Sequence, residues 1–203
     1  MSANPNKRMT VEEYLAFERA SETKHEFWGG LVYSMAGASE RHVIITGNTH
    51  ARIHAQLLER DCMPYAKDMR VRLNARGDFA YPDVVVASGQ RLFDDSEMDT
   101  LLNPTLIIEV LSPSTEAYDR GKKFRFYQQL ESLQEYLLIS QERVYIEQYV
   151  RQGVAAWRYS FYDNLDDLIT LPSIDCALRV NEIYAKIKFE PPMDDGLGEV
   201  IER

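Results

Sequence analysis

Two runs of apolar residues in the middle of the chain each carry one acidic side chain. Residues 105–111 (TLIIEVL) are apolar at nearly every position and predict a strand buried on both faces, with Glu109 in its interior. Residues 79–86 (FAYPDVVV) place Asp83 directly before three valines and predict a second buried strand. A carboxylate in a low dielectric must be paired, bind a metal or shift its pKa, because a bare buried charge is costly. Two such acids therefore indicate a metal-dependent site, and hence an enzyme.

Helix and strand signals alternate through the first half of the chain. Thr10 and Glu13 have the spacing of a capping box, and Gly29-Gly30 between two β-rich runs is typical of a hairpin turn. A turn at residues 74–78 should pair the strands on either side of it antiparallel. The predicted elements are a helix after Thr10, a hairpin at 25–35, a helix at about 42–60, a half-buried strand at 69–73 and the Asp83 strand.

The second half begins with the turn residues 112–115 (SPST), which should end the Glu109 strand and cap a helix to about residue 130. Gly121 inside this helix indicates close packing or the approach of a ligand, because a helical glycine costs about 1 kcal/mol relative to alanine. The remaining predicted elements are strands at 135–140, 144–150, 154–161 and 168–171 and a last short helix capped by Asn181. We expect one α/β (α+β) domain over residues 1–190 and a flexible acidic tail over 191–203.

The composition argues against a membrane-spanning protein, a secreted protein and a non-specific nucleic-acid-binding protein. The chain has 203 residues, of which 45% are hydrophobic, and no run of 18 apolar residues that would cross a membrane. Residues 1–8 lack the apolar core of a signal peptide, and Cys62 and Cys176 form no CxxC pair, so we expect a cytoplasmic protein with free thiols. The formal net charge of -9 argues against tight, non-specific nucleic-acid binding, although a nuclease with a locally basic cleft is compatible with it.

Carboxylate oxygens are the ligands that Mg²⁺ and Mn²⁺ prefer, so Asp83 and Glu109, on strands expected to be neighbours, are the candidate metal ligands. The simpler alternative is a pair of structural acids, one in a turn and one in an ion pair. Lys123 follows on the next helix and could orient an attacking water or stabilise charge in the transition state. Alternatively, Lys123 belongs to a solvated helix face and pairs with Asp119 four residues earlier.

Other motifs are weaker. His50 and His54 have the spacing of two zinc ligands, but Ala51 stands where a zinc protease of the H-E-x-x-H type needs glutamate. Surface or hydrogen-bonded histidines are therefore the better interpretation. The chain has no GxxxxGK[ST], GxGxxG or GxSxG string, so nucleotide binding and serine-hydrolase chemistry have no support.

Several strings along the chain match one pattern. They are YPDVVV at 81–86, EVLSPST at 109–115, Asp119, Lys123, Tyr127 and Glu135-Tyr136, with His25-Glu26, Gly30 and His42 nearer the N-terminus. Together they resemble the Uma family of endonucleases over roughly residues 9–188, and EVLSPST is the most specific part. The resemblance implies a restriction-endonuclease-like core of the PD-(D/E)xK type, with a mixed central β-sheet flanked by helices.

The resemblance also implies a metal-dependent phosphodiesterase. Its metal ligands for Mg²⁺ or Mn²⁺ would be Asp83, Glu109 and the carbonyl of Val110, and its catalytic residues would be Asp83, Glu109, Lys123 and Glu26. The chain departs from the parent motif at Leu111, where the motif has a lysine. In the family pattern a lysine of the following helix is the substitute, which here is Lys123.

Two functions are compatible with these residues. The first is a Mg²⁺-dependent endonuclease that hydrolyses DNA phosphodiester bonds, with Arg70, Arg72, Lys122 and Arg125 as candidate DNA contacts. The second is a catalytically inactive binding or assembly module with a nuclease fold, which the net charge and the displaced lysine favour. RNA or a small phosphodiester would use the same site as DNA. A homodimer is expected, because two-fold symmetric subunits can cut both strands of a duplex.

Overall fold

A computed structural model describes residues 8–35 and 37–189. Its helices are α1 (Val11–Ala20), α2 (Glu40–Leu57), α3 (Glu116–Tyr118), α4 (Phe124–Tyr127) and α5 (Val180–Ile183), with a π-helical turn (Asp119–Lys123) between α3 and α4. Its strands are β1 (His25–Trp28), β2 (Leu31–Ser34), β3 (Cys62–Ala66), β4 (Arg70–Arg72), β5 (Phe79–Ala80), β6 (Val84–Ser88), β7 (Thr100–Leu101), β8 (Leu106–Leu111), β9 (Glu135–Ser140), β10 (Ile146–Arg151), β11 (Trp157–Tyr162), β12 (Leu168–Leu171) and β13 (Cys176–Arg179).

A mixed six-stranded sheet in the order β11-β10-β9-β8-β6-β3, called the central sheet below, organises the fold. Its middle strand β8 is buried at every position, pairs antiparallel with β6 and pairs parallel with β9. A parallel pair needs a crossover connection, which α3, the π-helical turn and α4 provide. This architecture is the α+β, restriction-endonuclease-like core with helices flanking a mixed sheet that the resemblance implied.

The two faces of the central sheet are covered differently. Even-numbered β8 residues such as Ile108 pack with α2, α5 and the two-stranded sheet of β12 and β13. Odd-numbered ones such as Ile107 and Leu111 pack with α4 and with a five-stranded sheet in the order β2-β1-β5-β4-β7, called the small sheet below. Since side chains alternate between faces along a strand, Glu109 lies on the face of α4 and the small sheet.

The apolar run 79–86 does not form one strand. Residues Phe79–Ala80 form β5 in the small sheet, whereas Val84–Ser88 form β6 in the central sheet. The break falls at Pro82, which has no backbone N–H to donate to a ladder. The predicted antiparallel pairing across the turn at 74–78 therefore holds for β4 with β5 only. The Asp83 strand pairs with β8, as expected for neighbouring strands, and also with β3, which the sequence did not predict.

Local signals near the N-terminus are confirmed. Thr10 caps α1, and its partner Glu13 completes the capping box by accepting the Thr10 backbone N–H. Trp28 and Leu31 face each other across the hairpin, and Gly29 and Gly30 have φ values of 57° and 86°. Positive φ at both positions is what a two-residue hairpin turn of type I′ requires, and glycine adopts it without a Cβ clash.

Several predicted helix limits are wrong. Helix α2 begins at Glu40 with Ser39 as its cap, and it ends at Leu57 rather than near residue 60. The helix expected from 112–115 to about residue 130 is three short segments, and Thr115 makes no capping hydrogen bond with its side chain. Asn181 lies within α5 and does not cap it, since Arg179 occupies the N-cap position. The predicted tail at 191–203 lies outside the described residues.

Gly121 lies in the π-helical turn, and close packing does not explain it, because a Cβ added there would meet no other atom within 4 Å. None of the helices in the described ranges is long and apolar enough to span a bilayer.

The acidic loop between β6 and β7 is fixed to the small sheet by arginines. The Arg70 guanidinium lies 2.7 Å from Asp99 and is almost fully buried, and Arg72 pairs with Asp94 at 2.5 Å. Arg19 of α1 bridges Asp95 and Asp99 at 2.7 and 2.8 Å. The hydrogen bond from Arg19, opposed by partial burial, holds the pKa of Asp99 well below its usual range.

Replacing Asp99 with asparagine is expected to lower the free energy of unfolding by on the order of 2 kcal/mol near neutral pH, because buried Arg70 loses its charged acceptor. A carboxyl whose folded-state pKa is depressed contributes stability above its unfolded pKa of about 3.8, and that contribution is lost as pH falls. The difference between wild type and Asp99→Asn in urea unfolding should therefore shrink on acidification. A difference that stays constant or grows would contradict this account of the loop.

Candidate functional site

The central sheet brings the two predicted acids together. Val84 pairs with Ile108 in the antiparallel ladder of β6 and β8, so the next pair outward sets Asp83 opposite Glu109. Residues directly opposite on neighbouring antiparallel strands point to the same face of a sheet. Both acids line one open cavity of about 590 Å³, between the small sheet, the start of α2 and the crossover connection.

Both oxygens of the Asp83 side chain are held. Oδ2 accepts a 2.8 Å hydrogen bond from the backbone N–H of Val110, which ties Asp83 to β8. Oδ1 lies 2.6 Å from Nε2 of His42, in the first turn of α2. Asp83 itself lies one residue before β6, so it is a connection residue rather than the strand residue that was predicted.

Lys123 lies at the centre of a buried cluster of carboxylates. Its ammonium is 2.8 Å from Oε1 of Glu109, 3.0 Å from Oε1 of Glu26 and 3.6 Å from Oδ1 of Asp119. Lys123, Glu109, Glu26 and Asp119 are each no more than 4% exposed. The sequence alternative in which Lys123 belongs to a solvated helix face does not hold.

Aromatic side chains fix two of these carboxylates. The Tyr127 hydroxyl donates a 2.7 Å hydrogen bond to Oε1 of Glu109, the oxygen that Lys123 also contacts. The Trp28 indole N–H donates a 3.0 Å hydrogen bond to Oε2 of Glu26. Glu109 and Glu26 therefore each have a neutral donor besides the ammonium, which orients the carboxylate group.

The π-helical turn positions the lysine. Asp119 begins this turn and Lys123 ends it, and both are buried although the residues between them are not. Insertions of this kind into α-helices are rare and occur frequently at functional sites. The turn directs Asp119 and Lys123 towards β8. An α-helix along the same chain path, with about 3.6 residues per turn, would place these two side chains differently.

The electrostatics of the cluster are unbalanced. Besides the exposed Asp68, four carboxylates line the cavity with one buried ammonium: Glu26, Asp83, Glu109 and Asp119. Burial raises the pKa of Glu109 to about 8, with Lys123 opposing the rise and Asp119 and Asp83 adding to it. Burial alone would lower the pKa of Lys123, but Glu109 and Glu26 hold it well above its usual value. Burial likewise raises the pKa of Asp119.

The excess of negative charge in the cavity is relevant to whether a metal ion could bind there. Among residues 8–35 and 37–189, no three His, Cys, Asp or Glu side chains are arranged as a ready-made metal site. The chemistry of the donors nevertheless suits a hard divalent cation, because the oxygens are carboxylates and their negative charge exceeds that of Lys123. A proton on Glu109 or a bound cation would each relieve that excess.

The predicted DNA contacts do not lie together. Arg70 is buried and paired with Asp99, and Arg72 is paired with Asp94, so neither presents a free guanidinium to the cavity. Lys122 and Arg125 are exposed, and neither lines the cavity of the acids.

Sequence reasoning missed two lysines that do line the cavity, Lys24 and Lys67, and it assigned no contact to His42. The signals for His42 were its position at a helix start and its match to the family pattern. Nothing in the local sequence marks either lysine.

Comparison with known proteins places the chain in a family. The profile of the Uma2 family, described as "Putative restriction endonuclease", matches residues 11–181. The uncharacterized protein slr1290 of Synechocystis sp. is 35% identical over 185 residues, 91% of this chain and 96% of the relative. The uncharacterized protein sll1609 of the same organism is 36% identical over 151 residues, 74% of this chain and 85% of the relative.

The fold has a counterpart among solved structures. A crystal structure of an Anabaena variabilis protein, described as "a putative nuclease belonging to DUF820", superposes with a TM-score of 0.72. The match covers 87% of this chain and 97% of that one at 18% identity, so it supports the fold alone. The family profile supports a nuclease-type function. By that profile, which matches residues 11–181, the chain belongs to the Uma2 family.

Proposed function

We propose that this chain is an endonuclease that hydrolyses DNA phosphodiester bonds with Mg²⁺ or Mn²⁺. The observation that carries the proposal is the buried cluster of Lys123 with Glu109, Glu26 and Asp119, beside Asp83 in an open cavity. An acidic cluster with one lysine suits phosphoryl chemistry, in which positioning and charge stabilisation supply most of the catalysis. A buried ion pair serving stability alone would have no need of a solvent-accessible cavity.

Asp83 and Glu109, with the Val110 carbonyl, are the residues that we assign to the cation. Lys123 and Tyr127 both contact Oε1 of Glu109, so Oε2 is the oxygen left for the cation. A bound divalent cation would offset the charge of the carboxylates and of the phosphate and would lower the pKa of a water molecule. His42 keeps Asp83 oriented through its 2.6 Å contact with Oδ1.

Lys123 acts through its positive charge in this proposal. Its ammonium stabilises the negative charge that grows on the phosphate while water attacks phosphorus and the bond to the 3′-oxygen breaks. Glu26 and Asp119 hold the ammonium in place, at 3.0 and 3.6 Å, so that little reorganisation is needed during the reaction. Glu26 is in turn oriented by the Trp28 indole.

The test is conversion of supercoiled plasmid to nicked and linear forms. The purified protein should cut with Mg²⁺ or Mn²⁺ and should stop when a chelator is added. Parallel reactions with single-stranded RNA and with a small phosphodiester show whether DNA is the preferred substrate among molecules with the same scissile bond. Absence of cutting with every cation and substrate would remove the hydrolytic proposal.

A binding or assembly module with an inactive nuclease fold is the second candidate. It is favoured by the absence of a ready-made metal site in the described part of the chain and by the full engagement of Lys123 with carboxylates. Such a module would bind DNA or a protein partner without turnover, in the presence or absence of Mg²⁺. The homodimer stays a prediction, and light scattering at high protein concentration would test it.

A further inference from the structure

The floor of the cavity repels the substrate that we propose for it. Glu26, Asp83, Glu109 and Asp119 supply negative charge there, and the only buried ammonium among them, Lys123, is already in contact with three of these carboxylates. The chain as a whole carries a formal charge of -9. A polyanion needs cationic groups at the entrance of such a cavity, because its affinity comes largely from neutralised phosphates.

Lys24 and Lys67 are the other lysines that line this cavity. Lys24 is exposed and Lys67 is half-buried. In the part of the chain that the structure describes, neither lysine forms an ion pair within 4.0 Å, in contrast to Arg19, Arg70, Arg72 and Arg120. Among the described residues, no acidic side chain therefore neutralises their charge.

The connection between the two sheets anchors both lysines. The Lys24 ammonium lies 5.4 Å from the centre of the Tyr81 ring, a cation–π contact with a ring whose hydroxyl is fixed by Glu18. Lys67 donates its backbone N–H to the carbonyl of Asp83 at 2.9 Å. The Lys24 ammonium and the Lys67 backbone thus contact Tyr81 and Asp83, the two residues that flank Pro82.

The backbone at Lys67 is strained. Lys67 and Asp68 have φ values of 47° and 48°, in the left-handed region that side chains with a Cβ rarely adopt. Two successive residues in this conformation, without a glycine, are retained only where the surroundings enforce them, and such strain concentrates at functional sites. Here it turns the chain at the cavity edge while keeping a lysine at that position.

We propose that Lys24 and Lys67 bind the phosphodiester backbone of the nucleic-acid strand on either side of the reacting phosphate. This inference rests on the proposed function, and it replaces Arg70, Arg72, Lys122 and Arg125 as phosphate contacts. Asp68 also lines the cavity next to Lys67 and opposes this binding. The pair recognises phosphate charge rather than base sequence, so binding is independent of sequence.

The experiment measures binding of a short fluorescent DNA duplex by anisotropy, in Ca²⁺, over a range of salt concentrations. Lys24→Gln and Lys67→Gln should each weaken binding about eightfold at 0.1 M salt and reduce the salt slope by about 0.9. Lys24→Arg and Lys67→Arg should restore both quantities, and Asp68→Asn should tighten binding. Lys188→Gln is the matched control, because Lys188 is exposed and does not line the cavity.

The outcomes separate this inference from the proposed function. Weaker binding and a smaller slope in the glutamine variants support the phosphate contacts even if no variant, nor wild type, cuts DNA. Wild-type affinity and slope in both glutamine variants overturn them, even if wild type cuts. A wild-type protein that binds no DNA overturns the contacts as well. Thermal unfolding of all variants should match wild type, and where a glutamine variant unfolds earlier, Lys→Met at the same position removes the charge in its place.

Discussion

Asp83→Asn should lower the rate of DNA cleavage by about a thousandfold or more. The reason is that the negative charge of Asp83 holds the cation, so its loss removes a major electrostatic contribution to catalysis. Asparagine has nearly the same shape and its carbonyl oxygen can still accept the Val110 N–H, which lies 2.8 Å from the aspartate. The variant therefore removes charge while keeping the connection to β8. Initial rates of plasmid nicking in Mg²⁺ and Mn²⁺ measure the effect.

Asp68→Asn is the matched control for that experiment. Asp68 lines the same cavity but is exposed, and its left-handed backbone, at φ 48°, suits asparagine well. Its rate should equal or exceed that of wild type. Calorimetric titration with Mn²⁺ should give heat for wild type and Asp68→Asn and none for Asp83→Asn or Glu109→Gln. Equal cleavage by Asp83→Asn and wild type would remove the metal assignment.

The strongly patterned parts of this fold could be predicted from the chain alone. The β8 strand is apolar on both faces, and burial on both faces is what a central strand between two layers requires. The capping box at Thr10 and the turn at Gly29-Gly30 are local interactions between residues a few positions apart. Such signals depend little on the rest of the molecule, so they survive in the structure.

Features that depend on contacts between distant parts of the chain could not be predicted in the same way. The run 79–86 looks like one strand, but Pro82 ends one ladder and the chain enters another sheet, which brings β3 beside β6. The pattern of Arg70 and Arg72 suggests a solvent-facing row, yet Asp99 and Asp94 from a loop about 25 residues away cover it. Their partners are distant in sequence, and periodicity carries no information about them.

In the candidate site too, some residues could be found from the sequence, whereas their contacts depend on tertiary packing. A carboxylate in a buried strand is visible as an anomaly in the sequence, which is how Glu109 was found. The contacts that Glu109 makes with Lys123 and Tyr127 depend on the π-helical turn, whose extra residue per turn the sequence pattern does not show. His42 reaches Asp83 only because the first turns of α2 pack near the start of β6, where Ile45 and Val84 share one core cluster.

The same buried cluster predicts a large effect on stability. Lys123→Ala should lower the free energy of unfolding by about 3–5 kcal/mol in the absence of divalent cations, because Glu109, Glu26 and Asp119 remain buried without their ammonium. Urea unfolding in a chelating buffer measures this. Protonation of the carboxylates relieves the repulsion, so the loss should be smaller at low pH and grow as pH rises through the pKa of Glu109, near 8.

A divalent cation should reverse much of that loss. Without the ammonium, Oε1 of Glu109 and the neighbouring acids are available, so Mg²⁺ or Mn²⁺ that binds only the folded state restores stability by mass action. Lys123→Ala should thus gain more stability from Mn²⁺ than wild type does, while its cleavage rate falls by on the order of a hundredfold because the charge on the phosphate is no longer stabilised.

Lys122→Ala provides the matched control, because Lys122 is the exposed neighbour in the same π-helical turn. It should change the free energy of unfolding by no more than about 0.5 kcal/mol and leave cleavage and the response to Mn²⁺ as in wild type. If Lys123→Ala proved as stable as Lys122→Ala in chelator, the ammonium would not be compensating buried carboxylates. If Lys123→Ala were unstable and Mn²⁺ did not restore it, these carboxylates would be a structural ion cluster, and the assignment of a cation to this site would fall with that result.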